Sequence, residues 1–354
     1  MMEHTVGIDV GGTSIEAVVL NAEGRLVVRS RMPTSHEAWP TLLEQIRGLV
    51  GAVLADAGVE EVAAVGVGIP GLVDVVAGTV SDAANLPALR EKVAVGPELS
   101  AALGSPVVLD NDVRAGAIEA LHLVASVTPG VRDIVYLSIG TGVAAGIVID
   151  GRPLRGPGGL AGDIGHTPIL GGDEQCGCGL MGCLETRISG PALARSWPVA
   201  DPSRSATALF DAAERGDADA EEIVLEFTHD IQRVLHWIFQ TTGTQTVVLG
   251  GGVSTAHASI LPRLQASLTD LATRSAAVRR WAGPERLMAS PAGHPTGALG
   301  AARMAQGDLG ELDRKGSAER IRESEGDGME SRALTYHRTE RDEELPTDVP
   351  GGQS

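Results

Sequence analysis

One arrangement occurs twice in this chain and narrows its fold more than any other feature. Residues 5–10 (TVGIDV) are apolar enough for a buried strand. They break at Gly11-Gly12-Thr13 and resume as a strand over 15–20, with a turn at 21–24 and a third strand over 25–30. Residues 133–139 (DIVYLSI) repeat the pattern: strand, Gly140-Thr141-Gly142, a strand over 143–149, then a hairpin turn at Asp150-Gly151. Glycines in such a hairpin expose backbone N–H groups, and Thr13 adds a hydroxyl, which suits a phosphate. Asp9, just ahead of the first glycines, can hold Mg²⁺ directly or through water. Either copy alone reads equally as an ordinary glycine-rich hairpin. Two copies of one α/β unit predict a bilobal protein with a nucleotide between the lobes.

Other buried strands are expected over 62–69 (VAAVGVGI), 106–109 (PVVL) and 246–249 (TVVL). Helices are expected over 36–51, 98–103, 113–123, 190–196, 205–215, 218–241, 258–273 and 297–305. Residues 62–69 end at Pro70-Gly71, a strand end of the kind where open α/β sheets bind ligands. Residues 106–109 run directly into Asp110-Asn111-Asp112 and a helix. Asp112 is the candidate general base, since a carboxylate there can accept the proton of an attacking hydroxyl. Asp110 or Asp112 also reads as an N-cap. Gly250-Gly251-Gly252, between a buried strand and a helix, allow a flat group such as adenosine to lie against the backbone.

All three cysteines, Cys176, Cys178 and Cys183, fall within eight positions, and His166 precedes them by ten. Three thiolates and one imidazole complete a tetrahedral zinc shell with no place for water, which predicts a structural zinc site. Buried free thiols are the plainer alternative. Acids lie in the same stretch, at Asp163, Glu174 and Glu185, so a zinc knot there would fix carboxylates beside a pocket.

Composition sets the remaining bounds. At 354 residues and 43% hydrophobic, the chain can bury a large core, and with 3% aromatics that core is aliphatic. A formal charge of −18 speaks against non-specific nucleic-acid binding. Cysteines in a metal-type cluster fit a reducing cytoplasm. Neither a signal peptide nor a transmembrane run is expected. From residue 307 onward the chain carries 13 acids against 7 bases and few aliphatics, and it is expected to be disordered.

Taken together, the motifs resemble the ROK group (repressors, open reading frames and sugar kinases) of the actin-like ATPase and hexokinase superfamily. The resemblance runs from about residue 4 to 306. It rests on Asp9-Val10-Gly11-Gly12-Thr13, GVGIPG at 66–71, Asn85-Leu86-Pro87, Asn111-Asp112, Gly140-Thr141-Gly142, the segment ending Asp163-Ile164-Gly165-His166, CGCGLMGCLE at 176–185, and Gly250-Gly251-Gly252-Val253-Ser254. It implies two actin-like (ribonuclease H-like) α/β lobes. These are 1–120, with the 297–306 helix packing back on it, and 121–296, with the zinc site and an oligomer surface; 307–354 is the acidic tail.

The resemblance also implies roles. Asp112 would deprotonate a sugar hydroxyl, typically the 6-hydroxyl. Asn111, Asp112, Asp163, His166 and Glu185 would bind sugar hydroxyls, with Gly71 and Asn85 near the pocket. Asp9, Gly11, Gly12, Thr13, Gly140, Thr141, Gly142, Gly250, Gly251 and Gly252 would bind ATP with Mg²⁺. His166 would ligate zinc with Cys176, Cys178 and Cys183 while its other nitrogen faces the sugar. A glucokinase-like, cytoplasmic homo-oligomer (dimer or tetramer) is expected. An N-acetylglucosamine or N-acetylmannosamine kinase and a catalytically silent sugar sensor are the alternatives. A repressor is not expected, because its DNA-binding winged helix precedes the sugar lobes and here a strand begins at about residue 4. Polyphosphate as donor is not advertised by a chain whose only lysines are Lys92 and Lys315.

Three positions depart from the family pattern. Ser14 stands where Lys or Asn is usual after the first glycines. Asp163 replaces the usual Glu, shortening its reach by about 1.5 Å. Val113-Arg114-Ala115-Gly116 replaces Ala-Asn-Ala-Ala, and Arg114 is expected on the helix surface or, alternatively, near the pocket.

Overall fold

The computed structural model describes residues 4–169, 172–276, 278–281 and 283–307. The acidic segment from 308 onward lies outside the described residues.

In chain order the first half comprises β1 (Thr5–Val10), β2 (Ser14–Leu20), β3 (Leu26–Pro33), α1 (Trp39–Ala57), β4 (Ala64–Ile69), β5 (Leu72–Asp74), β6 (Thr79–Ser81), α2 (Val95–Leu103), β7 (Val107–Asn111) and α3 (Asp112–Val127). The second half comprises β8 (Ile134–Ile139), β9 (Val143–Ile149), β10 (Arg152–Pro153), α4 (Glu185–Ile188), α5 (Gly190–Ser196), α6 (Ser205–Glu214), α7 (Ala218–Thr242), β11 (Thr246–Gly250), α8 (Gly251–Ser254), α9 (Ile260–Arg274), β12 (Leu287–Ala289) and α10 (Thr296–Gln306).

The repeat seen in the sequence is a repeat of topology. One sheet has the order β3-β2-β1-β4-β7 and the other β10-β9-β8-β11-β12. In each, an antiparallel hairpin (β1 with β2, β8 with β9) is extended by two parallel strands. In each hairpin the first glycine closes the loop, the second hairpin more tightly by one residue: the Gly11 N–H donates to Ser14 O at 2.9 Å, and the Gly140 N–H to Gly142 O at 2.9 Å. Each sheet carries its own aliphatic core, one built on β1, β4 and α1, the other on β8, β11, α6, α7 and α9.

Two helices run between these layers. The α10 helix packs on β1 and β4 so closely that a Cβ at Gly7 or Gly66 would overlap the backbone of Ala298 or Ala301. The α3 helix is wedged on several sides. Its first turns meet β4 at Gly68, β9 at Gly146 and α10 at Gly300, and its own Gly116 lies against the Tyr136 ring of β8. The turn bearing Asp112 is therefore held by backbone-to-backbone approaches that leave little room for movement.

Some element ends differ from the expected ones. The helix expected from 36 begins at Trp39, because Pro40 fits the first turn, and it runs to Ala57, where Gly58 caps it at φ 65°. The second helix begins at Val95 rather than 98. The three-residue β12 was not expected; it owes its place to parallel pairing with β11. No helix among the described residues is long and apolar enough to cross a membrane.

Candidate active site

Parallel β4 and β7 bring their carboxyl ends side by side, with Ile69 paired to Asn111. At that edge Asn111 closes the strand and caps α3, its side-chain oxygen accepting from the Val113 N–H at 3.0 Å and the Arg114 N–H at 3.4 Å. The N-cap is thus Asn111, not Asp110 or Asp112. Asp112 is the first residue of the helix, and its Oδ1 accepts from the Val113 N–H at 3.0 Å.

A cavity of about 480 Å³ opens in front of this turn. Asn111 and Asp112 line it together with Gly71, Asn85, Asp163, His166 and Glu185, the residues expected to bind sugar, and with Gly140, Thr141 and Gly142. Glu185 reaches it from the start of α4, where its Oε2 accepts from the Val143 N–H at 3.0 Å. The first glycine hairpin approaches from behind: a Cβ at Gly12 would lie 2.9 Å from Asn85 Cβ. Ser14, the first departure, accepts from Arg31 Nε at 3.0 Å and so braces β2 against β3.

The charges in this corner are unusual. Burial pushes the Asp112 carboxyl above the ordinary carboxylate range, against the opposing pull of the Val113 N–H. Asp9 is pushed up to about 8, by burial first and then by the charges of Asp112 and Glu16. Its carboxylate occupies the space that a Cβ on Gly297, in the first turn of α10, would fill. Two raised carboxylates that repel each other are short of positive charge, and oxygen donors of this kind fit Mg²⁺.

The glycines of 250–252 divide. Gly250 has the Tyr136 ring where a side chain would go, and Gly251, at φ 81°, abuts the backbone of Ile139. Local packing alone therefore demands both. Gly252 faces open space beside Gly140 and is the one of the three left bare for a ligand.

The sulfur and imidazole ligands converge as the spacing implied. The ligand atoms of His166, Cys176, Cys178 and Cys183 all lie within 4.8 Å of one another. Cys178 Sγ is 3.6 Å from Cys183 Sγ, and Cys176 Sγ is 3.5 Å from His166 Nδ1. Tetrahedral zinc, with bonds of about 2.3 Å to sulfur, separates its ligands by about 3.8 Å, so the donor set fits zinc in both chemistry and spacing. With Nδ1 turned to the sulfurs, His166 keeps Nε2 on the cavity side, 3.9 Å from Asp163 Oδ1.

Of the two expectations for Arg114, the structure bears out the second: the residue lines the cavity rather than the helix surface. It is 3% exposed; its Nε donates to Asp110 Oδ1 at 2.6 Å and its Nη1 to Gly159 O at 2.8 Å. The cavity also involves residues that the motifs did not mark: Leu72, Asp82, Ser138 and the segment 159–162. Asp82, a non-glycine residue at φ 54°, carried no local signal. The glycine-proline run at 156–159 did carry one, since so many breakers together mark a loop that must be shaped by its surroundings.

Comparison with known proteins agrees with this architecture. The model of the ROK family matches residues 5–308. The N-acetylmannosamine kinase of Salmonella typhimurium is 32% identical over 307 residues, 86% of this chain and 99% of that relative. A ROK hexokinase from Thermus thermophilus superposes with a TM-score of 0.69 at 32% identity, covering 88% of this chain and 99% of the other. A ROK family glucokinase from Streptomyces griseus, solved in complex with glucose and AMPPNP, gives 0.69 at 28% identity, with coverage of 86% and 99%.

Proposed function

The chain belongs to the ROK family and is a sugar kinase, and on that premise we propose that it transfers the terminal phosphoryl group of ATP to the 6-hydroxyl of a hexose. The observation that carries this reading is the Asp112 carboxylate, raised by burial and opening on a cavity shared with Asn111, Asp163, His166 and Glu185.

The sugar is oriented by hydrogen bonds from Asn111, Asp163, His166 and Glu185, with Gly71 and Asn85 shaping the wall. The primary hydroxyl rests on Asp112. As its oxygen attacks the terminal phosphorus, Asp112 takes the hydroxyl proton, the bond to the bridging oxygen breaks and ADP leaves. A carboxylate whose proton affinity is raised is the better acceptor. The glycine hairpins 11–13 and 140–142 would take the phosphates, the N–H groups of Gly11 and Gly140 being used to close the loops themselves, and Gly252 leaves room for the adenosine. Asp9 would hold Mg²⁺, directly or through water, and the ion when bound supplies positive charge to the phosphates. Zinc, when bound, locks the ring of His166 with Nε2 toward the sugar. In this reading 1–120 with 297–306, and 121–296, are two lobes that close on the substrates and exclude water.

N-acetylmannosamine is the second reading of the acceptor, favoured by the Salmonella relative and by the shorter side chain of Asp163. A coupled ADP-release assay with ATP and Mg²⁺ across glucose, mannose, fructose, N-acetylglucosamine and N-acetylmannosamine separates the two. One sugar should dominate, and Asp112→Asn should lower its turnover by a factor of about 10²–10⁴. Silence on every sugar from folded, zinc-loaded protein would overturn the proposal.

A further inference from the structure

Asp110 stands one residue before the proposed sugar-binding pair, and phosphoryl transfer makes no use of it. Its side chain is 1% exposed and fully engaged. Oδ1 accepts from Arg114 Nε at 2.6 Å and from the Asn111 N–H at 2.8 Å. Oδ2 accepts from Arg155 Nε at 2.9 Å and lies 2.8 Å from Arg155 Nη2. Arg114 then extends to Gly159 O through Nη1. Both far ends of this network, Arg155 and Gly159, belong to the segment 155–163, whose second half, Gly159 to Asp163, lines one wall of the cavity.

That segment has little means of its own to hold a shape. Gly156, Gly158, Gly159 and Gly162 all have positive φ, at 65°, 66°, 74° and 95°. Glycine is the residue with most conformational freedom to lose. Two of its internal backbone bonds, Gly159 N–H to Gly156 O at 3.2 Å and Asp163 N–H to Leu160 O at 3.4 Å, are long. Ala161 N–H to Arg155 O at 3.0 Å closes the loop on Arg155, and Gly162 O accepts from the Ala145 N–H of β9 at 2.8 Å, so the anchorage of Arg155 sets where the loop between these ties lies. Asp163 is half-exposed and meets His166 only at 3.9 Å, beyond hydrogen-bond range, so its carboxylate goes where the loop backbone puts it.

We propose that Asp110, Arg114 and Arg155 form a latch that fixes the wall 155–163, and with it Asp163, against the Asn111–Asp112 turn, and that they thereby govern which sugar is accepted. They are positioning residues: one buried carboxylate ties the base-bearing turn and the sugar-side wall to the same point. The reference to sugar rests on the kinase reading above; the mechanical part does not.

Arg155→Gln tests the latch while leaving Asp110 paired with Arg114, and Arg155→Lys keeps the charge but loses the two-pronged contact. Two readouts are needed. Hydrogen exchange on ligand-free protein should show faster exchange confined to 155–163 in Arg155→Gln, with Arg155→Lys in between. Steady-state kinetics should show KM for the preferred sugar raised by about tenfold or more with KM for ATP little changed. Unchanged exchange, or equal changes in the two KM values, would overturn the latch. If Arg155→Gln does not fold, Arg155→Lys supplies both readouts. A parent protein that phosphorylates no sugar would refute the kinase reading alone, and the exchange data would still decide the latch.

Discussion

Asp9 offers the sharpest physical test of the site, because its perturbation can be read without substrate. Its carboxyl is raised from 3.8 to about 8 in the folded protein. Folded chain therefore binds this proton more tightly than unfolded chain. The linked stability is fully present below about pH 4 and is lost as pH rises through 8. Within that window each pH unit removes about 1.36 kcal/mol, so between pH 5 and pH 7 Asp9 alone takes away about 2.7 kcal/mol. Asp9→Asn has no such proton. Urea unfolding of parent and variant at half-unit pH steps isolates the effect, since groups common to both cancel in the difference. The variant should gain on the parent steadily from pH 5 to 7. Parallel stability curves would refute the placing of Asp9 as a desolvated carboxylate facing the charges of Asp112 and Glu16, and with it the electrostatic argument for a cation there.

The same reasoning applies to catalysis: Asp112 must be ionised to accept a proton and its carboxyl is raised by burial. The acid limb of kcat/KM should therefore fall above the ordinary carboxylate range of about 4, and a limb at or below it would exclude Asp112 as base. Purified protein should carry about one zinc per chain, and Cys178→Ser should lose both the metal and thermal stability, as read by metal analysis and thermal unfolding. Glycine substitutions should separate by site. Gly66→Ala should cost about 1–3 kcal/mol by forcing α10 off β4. Gly51→Ala, exposed in α1 with nothing within 4 Å, should stabilise by up to about 1 kcal/mol in denaturant unfolding.

The central strands β1, β4, β7, β8 and β11 were legible because each is a short apolar run ending near glycine or acid, and the duplicated hairpin told that two such units exist; the two- and three-residue strands β5, β6, β10 and β12 were not. The His166–cysteine cluster was legible for a similar reason: His166 and the three cysteines lie close enough in sequence that tight turns alone can gather them. Arg114 was legible only as the second of two readings, near the pocket. On an amphipathic helix an arginine reads as solvated, and only the arrival of Asp110 on one side and Gly159 on the other makes its burial affordable. Nor could the role of 155–163 be seen, because a loop of glycines takes its shape from what it is tied to.

Residue order alone determined the two α/β units, their phosphate-type hairpins, the acid at the start of α3 and the composition of the metal knot, all set by local periodicity and short-range turns. Tertiary structure decided which of these face one another. The cavity joins residues as distant in sequence as Gly71 and Glu185. The raised carboxyl of Asp9 depends first on burial and then on Asp112 and Glu16, which lie at the first turn of α3 and on the neighbouring strand β2. Such effects follow from burial and from distances between groups remote in the chain, and neither quantity exists until the sheets have packed.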